Sequence, residues 1–359
     1  MEATSSTAVP PTWRVGEFFA GIGGFRLAFE AAHPSFKTVF ANDIDAQCKI
    51  TYDANFPEPH LSRTDIRDIA DYPEHVPDFD ILVGGFPCQP FSTIGQRKGI
   101  EDSRGTLFFE LMRMVDAKKP RVLLFENVKG LLHIERGTVF ETMLAMLRHR
   151  GYFVDYRILD TAVHTPIPQH RERIFIVCAL DPAFFDHFRF PEPVPADSRK
   201  AIQTLLEPPE SVVPRYYYGP EDKAYPTLVE NMKVPYQFFT LWTCTQIRKK
   251  RVGVTQTLLA GMGRGGHAVP VFFDGLHYRR LSPRECFRLQ GFPESYAFPP
   301  TLAHNHLYKQ AGNGVTVTLV ERLARNIATA LKGIQGGQGS QGSQGSQGSQ
   351  GSQGSQAKK

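Results

Sequence analysis

Cys88 lies in a short stretch whose residue types could support nucleophilic chemistry. An apolar run, Phe79 to Val83, predicts a buried strand that ends in two glycines just before this cysteine. Because prolines flank Cys88, the thiol follows the strand on a constrained turn, at the edge where open α/β sheets bind ligands. A thiolate is a strong nucleophile when its surroundings favour the ionised form. Taken alone, however, a free cysteine is more often a buried structural residue.

Other reactive side chains follow or open further predicted strands. Val122 to Phe125 predicts a strand that delivers Glu126 to the same edge of the sheet. Arg171 and Arg173 open the strand predicted at Ile174 to Val177. Alternate residues of an extended chain point to one face, so the two arginines suit a shared anionic or carbonyl target. In isolation, this segment would be a salt-bridged sheet edge.

The start of the chain predicts a nucleotide-binding unit. Arg14 to Phe19 predicts a strand, Ala20 to Gly24 a tight turn, and Phe25 to Ala32 a helix with apolar residues at helical spacing. Strand, glycine turn and helix form the first unit of such a sheet. The dinucleotide motif G-x-G-x-x-G would need another glycine where Arg26 stands, so hydride-transfer cofactors are disfavoured.

Three carboxylates follow the next predicted strands. Asp43 lies about 20 residues beyond the glycine turn, where a carboxylate can accept hydrogen bonds from a ribose. Asp45 suits the N-cap of a helix that starts near Ala46. Asp65 is predicted to close a third strand beside the same cleft, where it could accept from the exocyclic amine of an adenine.

Composition bounds the class of protein. With 359 residues, the chain can bury a large core and has room for two domains. Its 41% hydrophobic and 21% charged residues are ordinary for a globular protein, and its net charge of +5 permits a polyanionic partner. No run is long and apolar enough for a membrane span, and no signal pattern opens the chain, which predicts an intracellular protein. The five cysteines form no C-x-x-C pair, so neither a disulfide framework nor a metal site is expected.

The composition changes near Asp181. From there to about residue 278, prolines, aromatic residues and clustered basic residues predict a smaller, irregular, β-rich domain. The basic tetrad 248–251 and the glycine-rich stretch 261–267 suit contacts with phosphates and base edges, although such a tetrad is usually a solvated charge run. Residues 95–105 are polar and glycine-rich and suit a mobile lid.

The remaining chain returns to helical patterns. Pro283 marks a helix start, and the sequence Gln310-Ala311-Gly312-Asn313-Gly314-Val315 precedes a last helix that ends near Leu331. The predicted divisions are a flexible arm 1–12, a first catalytic part 13–180, a recognition domain 181–280, a returning catalytic part 281–332 and a low-complexity Gly/Ser/Gln tail 333–359.

These pieces together resemble the cytosine-C5 DNA methyltransferases, most like the compact bacterial enzymes of restriction–modification systems. The most specific pieces are Phe19-Ala20-Gly21-x-Gly23-Gly24, Pro87-Cys88-Gln89, Glu126-Asn127-Val128, Gln169-x-Arg171-x-Arg173 and Gln310-x-Gly312-Asn313. The resemblance implies an α/β fold: a doubly wound, Rossmann-like methyltransferase sheet plus a smaller, irregular, β-rich target-recognition domain. It also implies that the last helix folds back on the first domain.

The resemblance implies S-adenosylmethionine as methyl donor, with S-adenosylhomocysteine as product. The residues that would bind it are Phe19, Gly21, Gly23, Gly24, Asp43, Ile44, Asp65, Ile66, Pro87, Leu107, Asn313 and Val315. Glu17 stands where the family usually has Asp, and Gly314 where Ser is common. Ile44 stands where many members place Trp against the adenine ring, and it offers less stacking contact.

The catalytic residues that the resemblance implies are Cys88, Glu126, Arg171 and Arg173. Cys88 would add to C6 of cytosine, and Glu126, kept protonated by burial, would serve as the acid at N3. Arg173 would hold the carbonyl oxygen of the base, while Arg171 and Gln169 would steady the loop. The sequence does not identify the base that removes the C5 proton.

The expected partner is double-stranded DNA, because the target base must leave the stack before this chemistry can occur. The residues expected to contact DNA are Gln89, Ser92, Arg97, Arg248, Lys249, Lys250, Arg251, Thr257 and Arg264. Thr257-Leu258 matches a Thr-Leu pair of the family's recognition domain, and Thr257 would contact a phosphate. We expect a monomer in the bacterial cytoplasm, associated with the nucleoid through DNA.

Three alternatives keep part of this pattern. A tRNA-methylating branch shares the Pro-Cys-Gln loop, but its second domain carries a Cys-Phe-Thr sequence that this chain lacks. A non-catalytic DNA-binding regulator would have no chemical reason to keep Cys88, Glu126 and Arg173. An NAD-type oxidoreductase is disfavoured by Arg26.

Overall fold

The computed structural model describes residues 12–87, 107–241, 243–263 and 268–341, with the backbone alone from 336 onward. The predictions made for Cys88, Gln89, Ser92, Arg97 and Arg264, and for the lid, lie outside the described residues.

A six-stranded mixed sheet forms the first layer. Its strands are β1 (Trp13–Phe18), β2 (Phe36–Asn42), β3 (Ile81–Gly84), β4 (Val122–Val128), β5 (Phe153–Asp160) and β6 (Glu172–Ala179). The order across the sheet is β2-β1-β3-β4-β6-β5. The first four are mutually parallel, whereas β6 runs antiparallel to both β4 and β5.

Alternate residues of the central strands enter two separate cores. On β4, Val122 and Leu124 lie in one core, and Leu123 and Phe125 lie in the other. All four are buried, which explains why the strand is a continuous apolar run rather than an alternating one. Helices cover both faces of this sheet, so the predicted doubly wound α/β class is confirmed.

Eleven helices have the following bounds in the described residues. They are α1 (Gly24–Ala32), α2 (Ala46–Asn55), α3 (Ile66–Asp71), α4 (Leu107–Lys118), α5 (Thr138–His149), α6 (Thr161–His164), α7 (Phe184–His187), α8 (Tyr225–Asn231), α9 (Pro283–Leu289), α10 (His304–Asn313) and α11 (Val317–Gln341). In the described part of the chain, no helix has the length and apolar character that crossing a bilayer requires.

The prediction that a strand ends at Asp65 is wrong. In its place, Asn42 and Ser62 form an isolated bridge, and Asp65 is the N-cap of α3. The Asp65 carboxylate accepts a hydrogen bond of 3.0 Å from the main-chain N–H of Arg67. Aspartate is among the strongest N-cap residues, so the helix start prevails over a second strand pairing here.

A second, five-stranded sheet lies within the predicted recognition domain. Its strands are β7 (Tyr217–Tyr218), β8 (Gln237–Leu241), β9 (Ile247–Val252), β10 (Pro270–Phe273) and β11 (Tyr278–Arg280). The order is β7-β11-β10-β8-β9, and neighbouring strands are antiparallel. Phe238, Val271 and Phe272 are buried in its core. The β-rich character is confirmed, while the boundaries of the domain stay predictions.

The chain then returns to the first sheet. Ser282 caps α9 through a capping box with Glu285, and Pro283 occupies the first turn, as predicted. Helix α11 packs against α1, which confirms that the last helix folds back on the first domain. Its backbone continues to Gln341, beyond the end predicted near Leu331 and into the predicted tail.

Candidate active site

A cleft of about 540 Å³ opens at the carboxyl ends of β1 to β4. It brings together all the predicted cofactor residues except Gly23: Phe19, Gly21, Gly24, Asp43, Ile44, Asp65, Ile66, Pro87, Leu107, Asn313 and Val315. Gly23 is needed instead for packing, because a Cβ there would lie 2.3 Å from the ring of Phe56. Its φ of 77° also favours glycine, and it is the N-cap of α1.

Asp43 ties the glycine turn to the end of β2. Its carboxylate accepts from the main-chain N–H of Gly21 at 2.8 Å and of Asp45 at 2.9 Å. Burial raises the pKa of Asp43, an effect that these two hydrogen bonds oppose. A carboxylate has about four acceptor positions, so Asp43 keeps acceptor capacity for a ligand in the cleft.

Asp45 is the N-cap of α2, as predicted. Its side chain accepts from the N–H groups of Gln47 at 2.8 Å and Cys48 at 3.3 Å. It also pairs with Lys309 of α10 at 2.7 Å. This ion pair, which the sequence analysis missed, joins the two helices at the rim of the cleft.

Arg26, which stands where the dinucleotide motif has a glycine, makes contacts outside the glycine turn. Its guanidinium lies 4.4 Å from the centroid of the Phe56 ring and donates to the carbonyls of Glu58 and Pro59. Fully buried Glu17, on β1, lies in the field of Arg26 and of the first amides of α1. Burial prevails over these favourable contacts and raises the pKa of Glu17 to about 8.

Glu126 and Arg173 meet at the end of β4. Arg173 is the partner of Val128 in the antiparallel ladder, which places it diagonally across from Glu126. Its Nε lies 3.1 Å from Oε1 of Glu126, and both side chains are nearly buried. Nη1 of Arg173 donates to the carbonyl of Glu172 at 2.8 Å, while Nη2 has no partner among the described residues.

The ion pair between Glu126 and Arg173 was not predicted from the sequence, which assigned the two side chains separate roles. The prediction missed this contact because β6 runs antiparallel to β4, which the sequence does not state.

Asn127 holds the loop that leads to Cys88. Its side-chain amide donates to the carbonyl of Phe86 at 3.0 Å, and its Oδ1 accepts from the N–H of Val128 at 2.8 Å. A Cβ on Gly85 would lie 3.4 Å from Oε2 of Glu126. The end of β4 and the loop after β3 are therefore held side by side, with Pro87 in the wall of the cleft.

Arg171 is buried beside the cleft and bonds to main-chain carbonyls. It is only 2% exposed, and its terminal nitrogens donate to the carbonyls of Leu258 at 2.9 Å, Gly312 at 3.3 Å and Gly314 at 2.8 Å. Within the described residues, Nε alone lacks a partner. Arg171 therefore positions main chain around the cleft rather than presenting its charge to a substrate.

The basic tetrad Arg248, Lys249, Lys250 and Arg251 lies on β9, at the edge of the second sheet. Three of these side chains are exposed and that of Lys250 is half-buried. Desolvation, with the charge of Arg248, lowers the pKa of Lys250. Thr257 does not have a free hydroxyl donor for a phosphate, because it donates to the carbonyl of His170 at 2.8 Å.

Several residues of this region carried no sequence-based role. Gln310 accepts from the hydroxyl of Thr51 and donates to the carbonyl of Gln47, each at 3.0 Å. A Cβ on Gly312 would lie 2.1 Å from the main-chain carbon of Leu259, so α10 touches the backbone of the recognition domain there. The motif that contains Gln310 and Gly312 was noticed, but its contacts could not be inferred without the fold.

Comparisons with known proteins agree with this arrangement. The family model for C-5 cytosine-specific DNA methylase matches residues 13–329. The type II methyltransferase M.Bsp6I of Bacillus sp. (strain RFL6) is 42% identical over 317 residues, covering 88% of this chain and 98% of that protein. The type II methyltransferase M.HhaI of Haemophilus parahaemolyticus is 34% identical over 325 residues, covering 88% and 94%.

Solved structures show the same fold. The DNMT2 mutant of Spodoptera frugiperda has a TM-score of 0.70 at 18% identity and covers 88% of this chain and 100% of its own. The S. pombe Dnmt2 methyltransferase has a TM-score of 0.67 at 22% identity and covers 90% and 99%. With a family model that spans the matched sheet, cleft and recognition domain, the chain belongs to the C-5 cytosine-specific DNA methylase family.

Proposed function

We propose that the protein transfers a methyl group from S-adenosylmethionine to C5 of a cytosine within a specific sequence of double-stranded DNA. The observation that carries this proposal is the Glu126–Arg173 pair in one cleft with the glycine turn and with Pro87, the residue before Cys88. We also propose that the methyl group protects the DNA site from a cognate restriction enzyme, because the relatives are named type II methyltransferases.

The residues of the cleft fit S-adenosylmethionine. Asp43 keeps acceptor capacity for ribose hydroxyls beside the glycine turn. Ile44 is 61% exposed in the wall of the same cleft, where an adenine ring could cover it. Asp65, on the cleft wall, can accept from an adenine amine. When bound, S-adenosylmethionine supplies an electrophilic methyl group on its sulfonium.

Cys88 lies outside the described residues, and its role rests on the sequence. The thiolate adds its electron pair to C6 of cytosine, which forms a carbon–sulfur bond and makes C5 nucleophilic. C5 would then take the methyl group from the sulfonium, and the electron pair of the broken carbon–sulfur bond would stay on the sulfur of S-adenosylhomocysteine. Removal of the C5 proton by a base lets the carbon–sulfur bond break, and its electron pair returns to the thiolate.

Glu126 and Arg173 would stabilise the charge that this addition moves toward N3 and the carbonyl oxygen of the base. A carbonyl oxygen that accepts from Arg173 competes with the carboxylate for the guanidinium. A protonated Glu126 carboxyl would donate a hydrogen bond to N3 while Arg173 donates to the carbonyl oxygen.

The recognition domain supplies the DNA side of the reaction. A base inside the duplex cannot reach the cleft, so it must be flipped out at a cost of a few kcal/mol. The exposed basic residues of β9 suit contacts with phosphates that offset this cost.

The proposal is tested by incubation with labelled S-adenosylmethionine and DNA whose cytosines are replaced by 5-fluorocytosine. Fluorine blocks the final elimination, so the enzyme should remain covalently attached to DNA on a denaturing gel. Mapping the trapped base identifies the target sequence. The Cys88→Ala variant is the control, which should bind DNA without forming the complex.

Two results would reject the proposal. If the unchanged protein binds DNA but forms no complex, it is a regulator on the methyltransferase fold. If it methylates extracted tRNA in preference to DNA, the substrate class is wrong.

A further inference from the structure

Two segments meet deep in the molecule, one on the DNA side and one on the cofactor side. The recognition segment, residues 255–258, follows β9 after only two residues. The cofactor-side loop, residues 311–315, runs from the last residues of α10 toward α11 and contributes Gly312, Asn313, Gly314 and Val315 to the cleft wall. What holds these two segments together decides whether one can respond to the other.

The recognition segment is held mainly through its main chain. The N–H of Thr255 donates to the carbonyl of Pro168, and the N–H of His170 donates to the carbonyl of Thr255, each at 2.9 Å. The N–H of Leu258 donates to Oε1 of Gln169 at 3.1 Å, and its carbonyl accepts from Arg171 at 2.9 Å. The strand that carries the basic tetrad is therefore followed by backbone that is fixed to residues 168–171.

Gln290, at the end of α9, joins that contact to the cofactor side. Its Oε1 accepts from Nε2 of Gln169 at 3.2 Å and from the hydroxyl of Thr316 at 3.0 Å. Its Nε2 donates to the carbonyls of Ala311 at 2.7 Å and Gly314 at 3.1 Å. The side-chain amide of Gln290 therefore bonds both to Gln169, which holds the recognition segment, and to carbonyls of the cofactor-side loop.

This network excludes solvent. Gln169 and Gln290 are completely buried, and Thr316 is 3% exposed. A hydrogen bond in such a buried setting is strong, and its loss leaves a polar group with neither a protein partner nor water. A shift of Leu258 would therefore break contacts at Gln169 or be passed on through Gln290 to the carbonyl of Gly314.

We propose that Gln290 is a positioning residue that couples the recognition segment to the cofactor-side loop, so that DNA and cofactor each strengthen the binding of the other. The coupling rests on the proposed function, since it assumes that DNA contacts β9 and that S-adenosylmethionine occupies the cleft. It follows from linkage that the two effects are equal in size.

The test compares the affinity for S-adenosylhomocysteine, measured by calorimetry, with and without a saturating duplex that contains the site mapped by 5-fluorocytosine trapping. The unchanged protein should bind at least about fivefold more tightly with the duplex, the lower end of typical coupling. Gln290→Met keeps the side-chain size but removes all four side-chain contacts. It should reduce the ratio of the two affinities, with and without the duplex, to below about twofold.

Gln256→Met is the matched control. The amide of Gln256 also lies at the recognition segment, but it donates only to Phe239 and Thr240 within the recognition domain. Its ratio should equal that of the unchanged protein. Should Gln290→Met fail to fold, Thr316→Val removes one contact to Gln290 and should lower the ratio in part.

A ratio near one in the unchanged protein, or an unaltered ratio in both Gln290→Met and Thr316→Val, would overturn the coupling. Neither result would affect the proposed activity, which the trapped complex reports separately. Conversely, absence of a trapped complex would reject the activity before the coupling is measured.

Discussion

Arg173 and Glu126 stand diagonally across neighbouring antiparallel strands, with Nε and Oε1 3.1 Å apart. The pair lies where the first four strands end, next to the loop that leads to Cys88. Because Nη2 of Arg173 donates no hydrogen bond to a described residue, it is the nitrogen that would donate to the carbonyl oxygen of a base in the proposed reaction.

Replacing the acid should slow the reaction without preventing DNA binding. Glu126→Gln keeps the shape of the side chain but cannot supply the proton, and a positioned acid contributes about 10²- to 10⁴-fold to such rates. We expect a single-turnover methyl-transfer rate lower by about that factor. Glu172→Gln is the control, since Glu172 pairs with Lys129 at 3.0 Å and is half-exposed. A Glu126→Gln rate within tenfold of the original would contradict the role.

Ile44→Trp should tighten cofactor binding. Ile44 is an exposed apolar residue on the cleft wall, and an indole there would add stacking contact worth about 0.5–1.5 kcal/mol, or roughly two- to tenfold in affinity. The measurement is the dissociation constant of S-adenosylhomocysteine. Ile50→Trp places the same ring on an exposed position of α2 and should change nothing. Equal affinities for both variants would remove Ile44 from the adenine site.

Glu17 should make the protein less stable as pH rises. Burial raises its pKa in the folded state to about 8, above the ordinary value of 4.5. Between these values the folded state binds more protons than the unfolded state, so the free energy of unfolding falls by up to about 1.4 kcal/mol per pH unit.

Glu17→Gln, which resembles the protonated side chain, should remove this dependence. Urea unfolding at pH 5, 6, 7 and 8 should give similar stabilities for the two proteins at pH 5 and a growing advantage of the variant above it. Glu230→Gln, at an exposed position, is the control. Parallel profiles for the Glu17→Gln variant and the original would show that Glu17 does not titrate in this range.

The tetrad on β9 should make DNA binding depend on salt. If these side chains contact phosphates, Arg251→Gln should reduce the slope of log affinity against log salt by about one, independently of DNA sequence. Lys37→Gln is the comparison, because Lys37 is exposed near the start of β2, at the opposite edge of the sheet from the cleft. An unchanged slope for Arg251→Gln would show that Arg251 contacts no phosphate and would favour the interpretation of the tetrad as a solvated charge run.

The sequence predicted the elements whose causes are local. Helix α1 spans Gly24–Ala32, within one residue of the prediction, because its apolar spacing directly follows the glycine turn. Asp45 caps α2 and Pro283 opens α9 as expected, since helix starts depend on residues only a few positions away.

One error was local, because the sequence around Asp65 is consistent with either a strand end or a helix start. What the sequence could not predict were contacts between distant residues. The Glu126–Arg173 ion pair and the contact of Arg171 with Leu258 join residues 47 and 87 positions apart, which only the topology brings close. Gln290 was missed for the same reason: no short-range pattern distinguishes a buried amide from an exposed one.

The junction around Leu258 also bears on how target specificity evolves. Gln169 accepts from the N–H of Leu258 and Arg171 donates to its carbonyl, while Gly312 packs against the backbone of residues 259 and 260. Main chain is common to all amino acids, so such a junction tolerates exchange of side chains upstream of it. Exchanging the residues between β8 and Gly253 for those of a relative should therefore leave the catalytic centre in register.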